Sequence, residues 1–116
     1  MKMHKILLVE DIELAQIIAR HMLKSLHCDV DVASTGMEAI QKARDNQYDY
    51  ILMDLGLPDM DGFTAAEKIH EFSHVPIIAL TAHVEAQYKE KALASGMQDF
   101  LTKPLDEKAV RELLKG

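Results

Sequence analysis

The chain contains apolar runs that do not alternate, and each ends abruptly on a polar residue. Ile6-Leu7-Leu8-Val9 runs into Glu10-Asp11, Ile51-Leu52-Met53 into Asp54, and Val75-Pro76-Ile77-Ile78-Ala79-Leu80 into Thr81. A strand with one wet face alternates, whereas an unbroken run of this length suits a strand covered on both faces, as in a parallel sheet. After Asp54 comes Leu55-Gly56-Leu57-Pro58-Asp59-Met60-Asp61-Gly62, whose glycines and proline supply turn chemistry. Asp54 is therefore expected at a rim where a strand leaves the core. In open α/β sheets that rim, the carboxyl edge, is where ligands bind.

The segments between these runs have helical spacing. Leu14, Ile18, Met22 and Leu26 recur four apart with Ile17 beside them, predicting a first helix with this stripe inward. Cys28 to Ala33 alternates, with Val30 and Val32 on one face, and predicts a strand near the sheet edge. Ser34 or Thr35 is a candidate N-cap for a helix carrying Met37, Ala39, Ile40 and Ala43. Strands are expected over residues 48–54, over the apolar run 75–80 with Pro76 tolerable at its start, and over 98–102. Further helices are expected over 63–72, with Ala66, Ile69 and Phe72 inward, and over 84–95, stopping at Gly96. Asp106 can cap a last one carrying Val110, Leu113 and Leu114. Five strands alternating with five helices make a doubly wound α/β domain over residues 1–116. Right-handed crossovers then bring Glu10-Asp11, Asp54, Thr81 and Lys103 to one edge.

Composition narrows the function. A chain of 116 residues makes one domain with an adequate core. The net charge of −6 argues against contact with nucleic acid. The start of the chain offers only four strongly apolar residues, too short for a signal peptide or for membrane insertion. The lone Cys28 excludes an internal disulfide and fits a reducing compartment.

Three carboxylates and one ammonium at one edge carry a surplus of negative charge. Like charges ~5 Å apart at an effective dielectric of ~20 repel by about 3 kcal/mol, so the site wants a cation or a raised carboxylate pKa. Carboxylate oxygens without clustered His or Cys favour a hard ion such as Mg²⁺, which shares its remaining positions with waters and phosphate oxygens. The six histidines are scattered, and His70 and His74 read as surface residues. A carboxylate beside such a metal can attack phosphorus and form an aspartyl phosphate. Acids, metal, lysine and hydroxyl thus describe a phosphoryl-transfer site.

The blocks Leu8-Val9-Glu10-Asp11, Met53-Asp54-Leu55-Gly56-Leu57-Pro58-Asp59-Met60-Asp61-Gly62, Ala79-Leu80-Thr81-Ala82 and Gly96-Met97-Gln98-Asp99-Phe100-Leu101-Thr102-Lys103-Pro104 match one family in order and spacing. Over nearly its whole length the chain resembles the receiver domain of two-component response regulators. The resemblance implies a flavodoxin-like sheet in the order 2-1-3-4-5. It implies that Asp54 accepts a phosphoryl group from the phosphohistidine of a histidine kinase or histidine phosphotransfer domain. Asp11, Asp54 and the backbone carbonyl of Gly56 would bind Mg²⁺, with Glu10 acting through water. Lys103 would pair with phosphoryl oxygens, and Lys103-Pro104 would be cis. The Thr81 hydroxyl would move toward the phosphoryl group while Phe100 rotates inward. Gly56, Ala82 and His83 would flank the group, His83 governing its lifetime. The domain would be a phosphoacceptor and switch rather than an independent enzyme, though able to promote its own phosphorylation and dephosphorylation.

One departure concerns Leu26-His27-Cys28, where the family often has glycine and then an aromatic residue; His27 would occupy a left-handed cap less comfortably than glycine. The main rival reading is a Mg²⁺-dependent phosphatase of haloacid-dehalogenase type. Such enzymes usually carry a second aspartate two residues after the nucleophile, where this chain has Gly56. A flavodoxin-like flavin binder would need a phosphate loop after the first strand, and Glu10-Asp11 would repel the phosphate. Localisation is expected to be cytoplasmic, either as a stand-alone regulator or as the cytosolic part of a membrane-anchored hybrid kinase. The Leu80-Thr81-Ala82-His83 and Gly96–Pro104 blocks favour the hybrid kinase. Homodimerisation or docking is expected on the face of the fourth helix, fifth strand and fifth helix.

Overall fold

The computed structural model describes residues 3–82 and 86–115. Its elements run β1 (His4–Val9), α1 (Glu13–Ser25), β2 (Cys28–Ala33), α2 (Gly36–Asp45), β3 (Tyr50–Asp54), α3 (Gly62–His70), β4 (Ile77–Thr81), α4 (Ala86–Ala94), β5 (Asp99–Thr102) and α5 (Glu107–Lys115). All neighbouring strands pair in parallel, in the order β2-β1-β3-β4-β5. This is the expected doubly wound sheet. Among the described residues no helix is long and apolar enough to cross a membrane.

The unalternated runs are explained by two cores. Leu7, Val9, Ile51, Met53, Ile77 and Ala79 face one, shared with α2, α3 and α4. Ile6, Leu8, Leu52, Ile78 and Leu80 face the other, shared with α1 and α5. Each strand keeps its period of two, but both sets of side chains are apolar because both faces are covered.

Several local expectations need correction. On α1 the buried residues are Ala19 and Leu23, while Leu14, Ile17 and Ile18 are exposed. A spacing of four overshoots a 3.6-residue turn by about 40°, so the stripe drifts by about 120° from Leu14 to Leu26. Its start consequently faces solvent, while Met22 and Leu26 pack against the core. Phe72 does not point inward: α3 ends at His70, and the exposed Phe72 ring lies under the Arg44 guanidinium at 4.8 Å. Met37 is exposed on α2. Residues 48 and 49 precede β3, where the Tyr48 hydroxyl donates to Asp31 Oδ2 at 2.7 Å. His70 is half-buried rather than superficial, with Nε2 3.1 Å from the Val75 carbonyl oxygen. The expected start of the fourth helix at Val84 lies outside the described residues.

Caps are local and follow sequence. Thr35 caps α2 and Asp61 caps α3, accepting from the Glu38 and Thr64 N–H groups at 3.0 and 2.8 Å. Asp106 accepts from Ala109 N–H at the start of α5. Gly96 follows α4 with φ +89°, and His27 follows α1 with φ +64°, the left-handed position in which a non-glycine residue is disfavoured.

Candidate functional site

Register brings the strand tips together. Val9 is paired with Met53, so Glu10 emerges beside Asp54, and Asp54 is paired with Leu80, one residue before Thr81. Thr81 is paired with Thr102, and the Lys103 N–H donates to the Thr81 carbonyl at 2.9 Å, so Lys103 starts directly beyond. The Lys103–Pro104 peptide is cis. Lys103 Nζ lies 2.6 Å from Glu10 Oε1 and 2.9 Å from Asp54 Oδ2. Glu10, Asp11 and Asp54 each offer a carboxylate oxygen, all within 4.8 Å of one another.

Burial divides the three acids. Glu10 is 2% exposed and Asp54 is buried, whereas Asp11 reaches solvent. Burial pushes the Glu10 carboxyl above the usual Glu range, and the neighbouring Asp54 adds to this despite the opposing pull of Lys103. At Asp54, burial pulls upward too, but the Gly56 N–H, Lys103 and Glu10 together hold its carboxyl below the usual range. Burial alone would lower Lys103; its bonds to Glu10 and Asp54 outweigh that and raise it. These partners favour the ionised form of Asp54, the form that can act as nucleophile and as metal ligand.

These three acids suit a hard cation: oxygen donors, one of them solvent-exposed, with no competing His or Cys among them. Beside Asp54 opens a cavity of about 350 Å³, lined by Asp54, Gly56, Phe63, Thr81, Tyr88 and Lys103. Ala82 is at its edge and exposed. A Cβ built on Gly56 would meet nothing within 4 Å, so packing does not demand glycine there. The Gly56 N–H donates to Asp54 Oδ1 at 3.0 Å. His83 lies outside the described residues. Phe100 is half-buried away from this cavity, with Lys89 Nζ 4.6 Å from its ring centroid.

Two contributors were not legible in sequence. Tyr88 of α4 lines the cavity opposite the strand tips; its only signal is an aromatic residue in an otherwise weakly patterned helix. A second cavity, about 320 Å³, lies on the far side of Lys103 between α1 and the segment after β5, and is lined by Glu10, Ile12, Ala15, Ile18, Pro104 and Leu105. It adjoins the exposed α1 residues that the four-apart spacing assigned to the core.

Comparison with known proteins agrees with this geometry. The family model described as the response regulator receiver domain matches residues 6–115. The signal transduction histidine-protein kinase BarA of Escherichia coli K12 is 42% identical in an alignment of 96 positions that covers 80% of this chain and 10% of BarA. The chain therefore spans about a tenth of that relative's length. The receiver domain of sensor histidine kinase PA1611 from Pseudomonas aeruginosa, solved with a magnesium ion coordinated in the active site cleft, superposes with a TM-score of 0.90 at 38% identity, covering 98% of this chain and 96% of that one. The Saccharomyces cerevisiae receiver domain of Ssk1, solved with the histidine phosphotransfer protein Ypd1, gives a TM-score of 0.91 at 32% identity, covering 97% and 87%. None of these supports the haloacid-dehalogenase or flavin-binding readings.

Proposed function

Because the chain belongs to the response regulator receiver domain family of two-component systems, we propose that Asp54 accepts a phosphoryl group from a phosphohistidine on a histidine kinase or histidine phosphotransfer domain. The observation that carries this reading is a buried Asp54 held 2.9 Å from Lys103, with carboxylate oxygens of Glu10 and Asp11 within 4.8 Å. Asp54 attacks phosphorus, a P–O bond forms, and the P–N bond breaks with its electron pair returning to the ring nitrogen; the proton already on the other ring nitrogen stays there, so imidazole leaves neutral. Lys103 moves from the carboxylates to the arriving phosphoryl oxygens as a compact positive charge. Asp11, Asp54 and the Gly56 carbonyl would hold Mg²⁺, with Glu10 acting through water; the ion would supply neutralisation of phosphoryl charge. The cavity beside Asp54 admits water for hydrolysis, with Gly56 in its lining and Ala82 leaving the entrance clear. His83 shields or orients that water, so substituting it changes the lifetime of phospho-Asp54 more than its formation.

The switch reading places Thr81, buried beside Asp54, on the phosphoryl group, with Phe100 leaving Lys89 to fill the vacated space. Carrying such a two-state equilibrium from 1:99 to 99:1 takes about 5.5 kcal/mol of differential stabilisation. For the donor, Leu14, Ile17 and Ile18 share one face of α1 by their spacing, and Ile18 continues into the apolar cavity beside Lys103. An exposed apolar face adjoining the chemistry suits a helical donor that must bring its histidine to Asp54. Pairing of copies or docking of a target is assigned to the α4, β5 and α5 face. As a unit the chain acts in the cytosol, as a stand-alone regulator or as the receiver of a hybrid histidine kinase.

The test is incubation with acetyl phosphate, with and without Mg²⁺, followed by intact mass. One phosphoryl group should appear only with Mg²⁺ and should be lost in Asp54→Asn. Equal labelling of Asp54→Asn would overturn the assignment.

A further inference from the structure

The tip of the loop between β3 and α3 reaches across to a helix that precedes it in the chain. Asp59 Oδ1 accepts from the Gly36 N–H at 2.8 Å, and Oδ2 from the Met37 N–H at 3.0 Å. The first intrahelical bond of α2 runs from the Ala39 N–H to the Thr35 carbonyl, so the amides of Gly36, Met37 and Glu38 have no helical partner. Thr35 Oγ1 meets Glu38, and Asp59 meets the other two. The local sequence already provides an N-cap. What Asp59 adds is a fixed relation between the loop and α2. Met60 reinforces it: a Cβ built on Gly36 would lie 2.5 Å from Met60 Cγ, so the methionine packs directly onto the glycine.

The base of the same loop touches the chemistry. Gly56 donates to Asp54 Oδ1 and forms a bridge with Asp61. The Gly62 N–H donates to the Leu55 carbonyl at 3.0 Å, and a Cβ on Gly62 would come 2.4 Å from the Asp54 carbonyl oxygen. The loop is therefore closed at its base by backbone contacts, with no room for a side chain at Gly62, and its far end is hydrogen-bonded to α2 through one carboxylate. A loop pinned at both ends cannot pivot about Asp54, whereas one pinned only at its base can.

We propose that Asp59 is a positioning residue for the phosphoacceptor site: by tying the loop tip to α2 it holds the Gly56 amide against Asp54 and the Gly56 carbonyl where a divalent cation needs it. This rests on the reading of Asp54, Asp11 and Gly56 given above. The alternative is that Asp59 merely stabilises α2, and Thr35 separates the two, because its hydroxyl caps the same helix at Glu38 rather than bonding the loop.

The experiment titrates Mg²⁺ into ¹⁵N-labelled protein, following the Gly56 amide by NMR, alongside thermal unfolding without metal and the rate of labelling by acetyl phosphate. Thr35→Ala and Asp59→Ala should both lower the unfolding temperature. Only Asp59→Ala should raise the Mg²⁺ dissociation constant, by about ten-fold, the low end for removing a group that orients a ligand, and slow labelling. Asp59→Asn, which keeps one acceptor oxygen, should fall between, and serves as the test if Asp59→Ala does not fold. A dissociation constant for the Asp59 variants matching that of Thr35→Ala overturns the proposal. A parent protein that binds no Mg²⁺ overturns the reading of the site itself, and this inference with it.

Discussion

Lys103 Nζ lies nearer to Glu10 Oε1, at 2.6 Å, than to Asp54 Oδ2, at 2.9 Å. The lysine assigned to the arriving phosphoryl group is thus shared between two buried carboxylates in the resting state. Its ammonium compensates a site that otherwise holds only acids, and a hard cation could take over part of that duty.

Replacing Lys103 by alanine leaves Glu10 and Asp54 facing each other. Breaking a buried ion pair costs about 3–5 kcal/mol, and the loss here should fall at or below the lower figure because Glu10 can take up a proton. The raised pKa of Lys103 means that its contribution is complete below the ordinary lysine value of 10.5 and is lost as pH rises through the folded value. Urea unfolding of metal-free protein should show this loss at pH 7 and a smaller difference from the parent in strong alkali. Added Mg²⁺ should restore part of the stability.

Glu10 loses stability with rising pH as well, but in the acid range and because burial disfavours its charged form. Its folded pKa is raised above 4.5, chiefly by burial, so the native state holds the proton more tightly than the unfolded chain. Its contribution to stability therefore falls as pH rises from 4.5 through the folded value. Glu10→Gln should be as stable as the parent near pH 4 and more stable by up to about 1 kcal/mol at neutral pH, in keeping with the usual conflict between active-site charge and stability. Thermal unfolding across that range measures it; a lower midpoint for the variant at pH 7 would contradict the account. Mg²⁺ affinity should fall in the same variant.

His27 occupies a left-handed position, φ +64°, after α1. Its side chain is exposed, so relieving the backbone removes no packing. His27→Gly should stabilise the fold by about 0.5–1 kcal/mol, the left-handed penalty less the extra freedom glycine gains when unfolded. Denaturant midpoints should rise with an unchanged slope.

Lys89 sits 4.6 Å from the centre of the Phe100 ring. An exposed cation–ring contact contributes about 0.5–1 kcal/mol. Lys89→Ala should shift Phe100 toward any inward arrangement by about two- to five-fold in population. Ring-proton NMR of Phe100 in unphosphorylated protein reads that shift; identical spectra would show that Lys89 does not hold the ring.

Much of the architecture was written in short-range pattern. The unalternated runs specify covered strands, Thr35, Asp61 and Asp106 specify helix starts, and Gly96 specifies an end. Once strands and crossover helices alternate, handedness alone sends Glu10, Asp11, Asp54, Thr81 and Lys103 to one edge. That these five residues share one edge was therefore readable without any knowledge of distances.

What the chain order could not supply was anything depending on how elements lean against one another. The rotation of α1, which exposes Leu14 and Ile18 and buries Ala19, is set by the close approach of helix to sheet. Tyr88 of α4 joins the cavity of Asp54 and Thr81 only once the elements are folded together, and Asp59 reaches α2 across a sequence separation that no local pattern spans. Periodicity and capping are properties of neighbours along the chain, so sequence determined the elements and the edge they share. Side-chain partnerships across elements depend on three-dimensional packing, so only the tertiary structure decided that Glu10 and Asp54 share Lys103 and which residue anchors the loop beside Asp54.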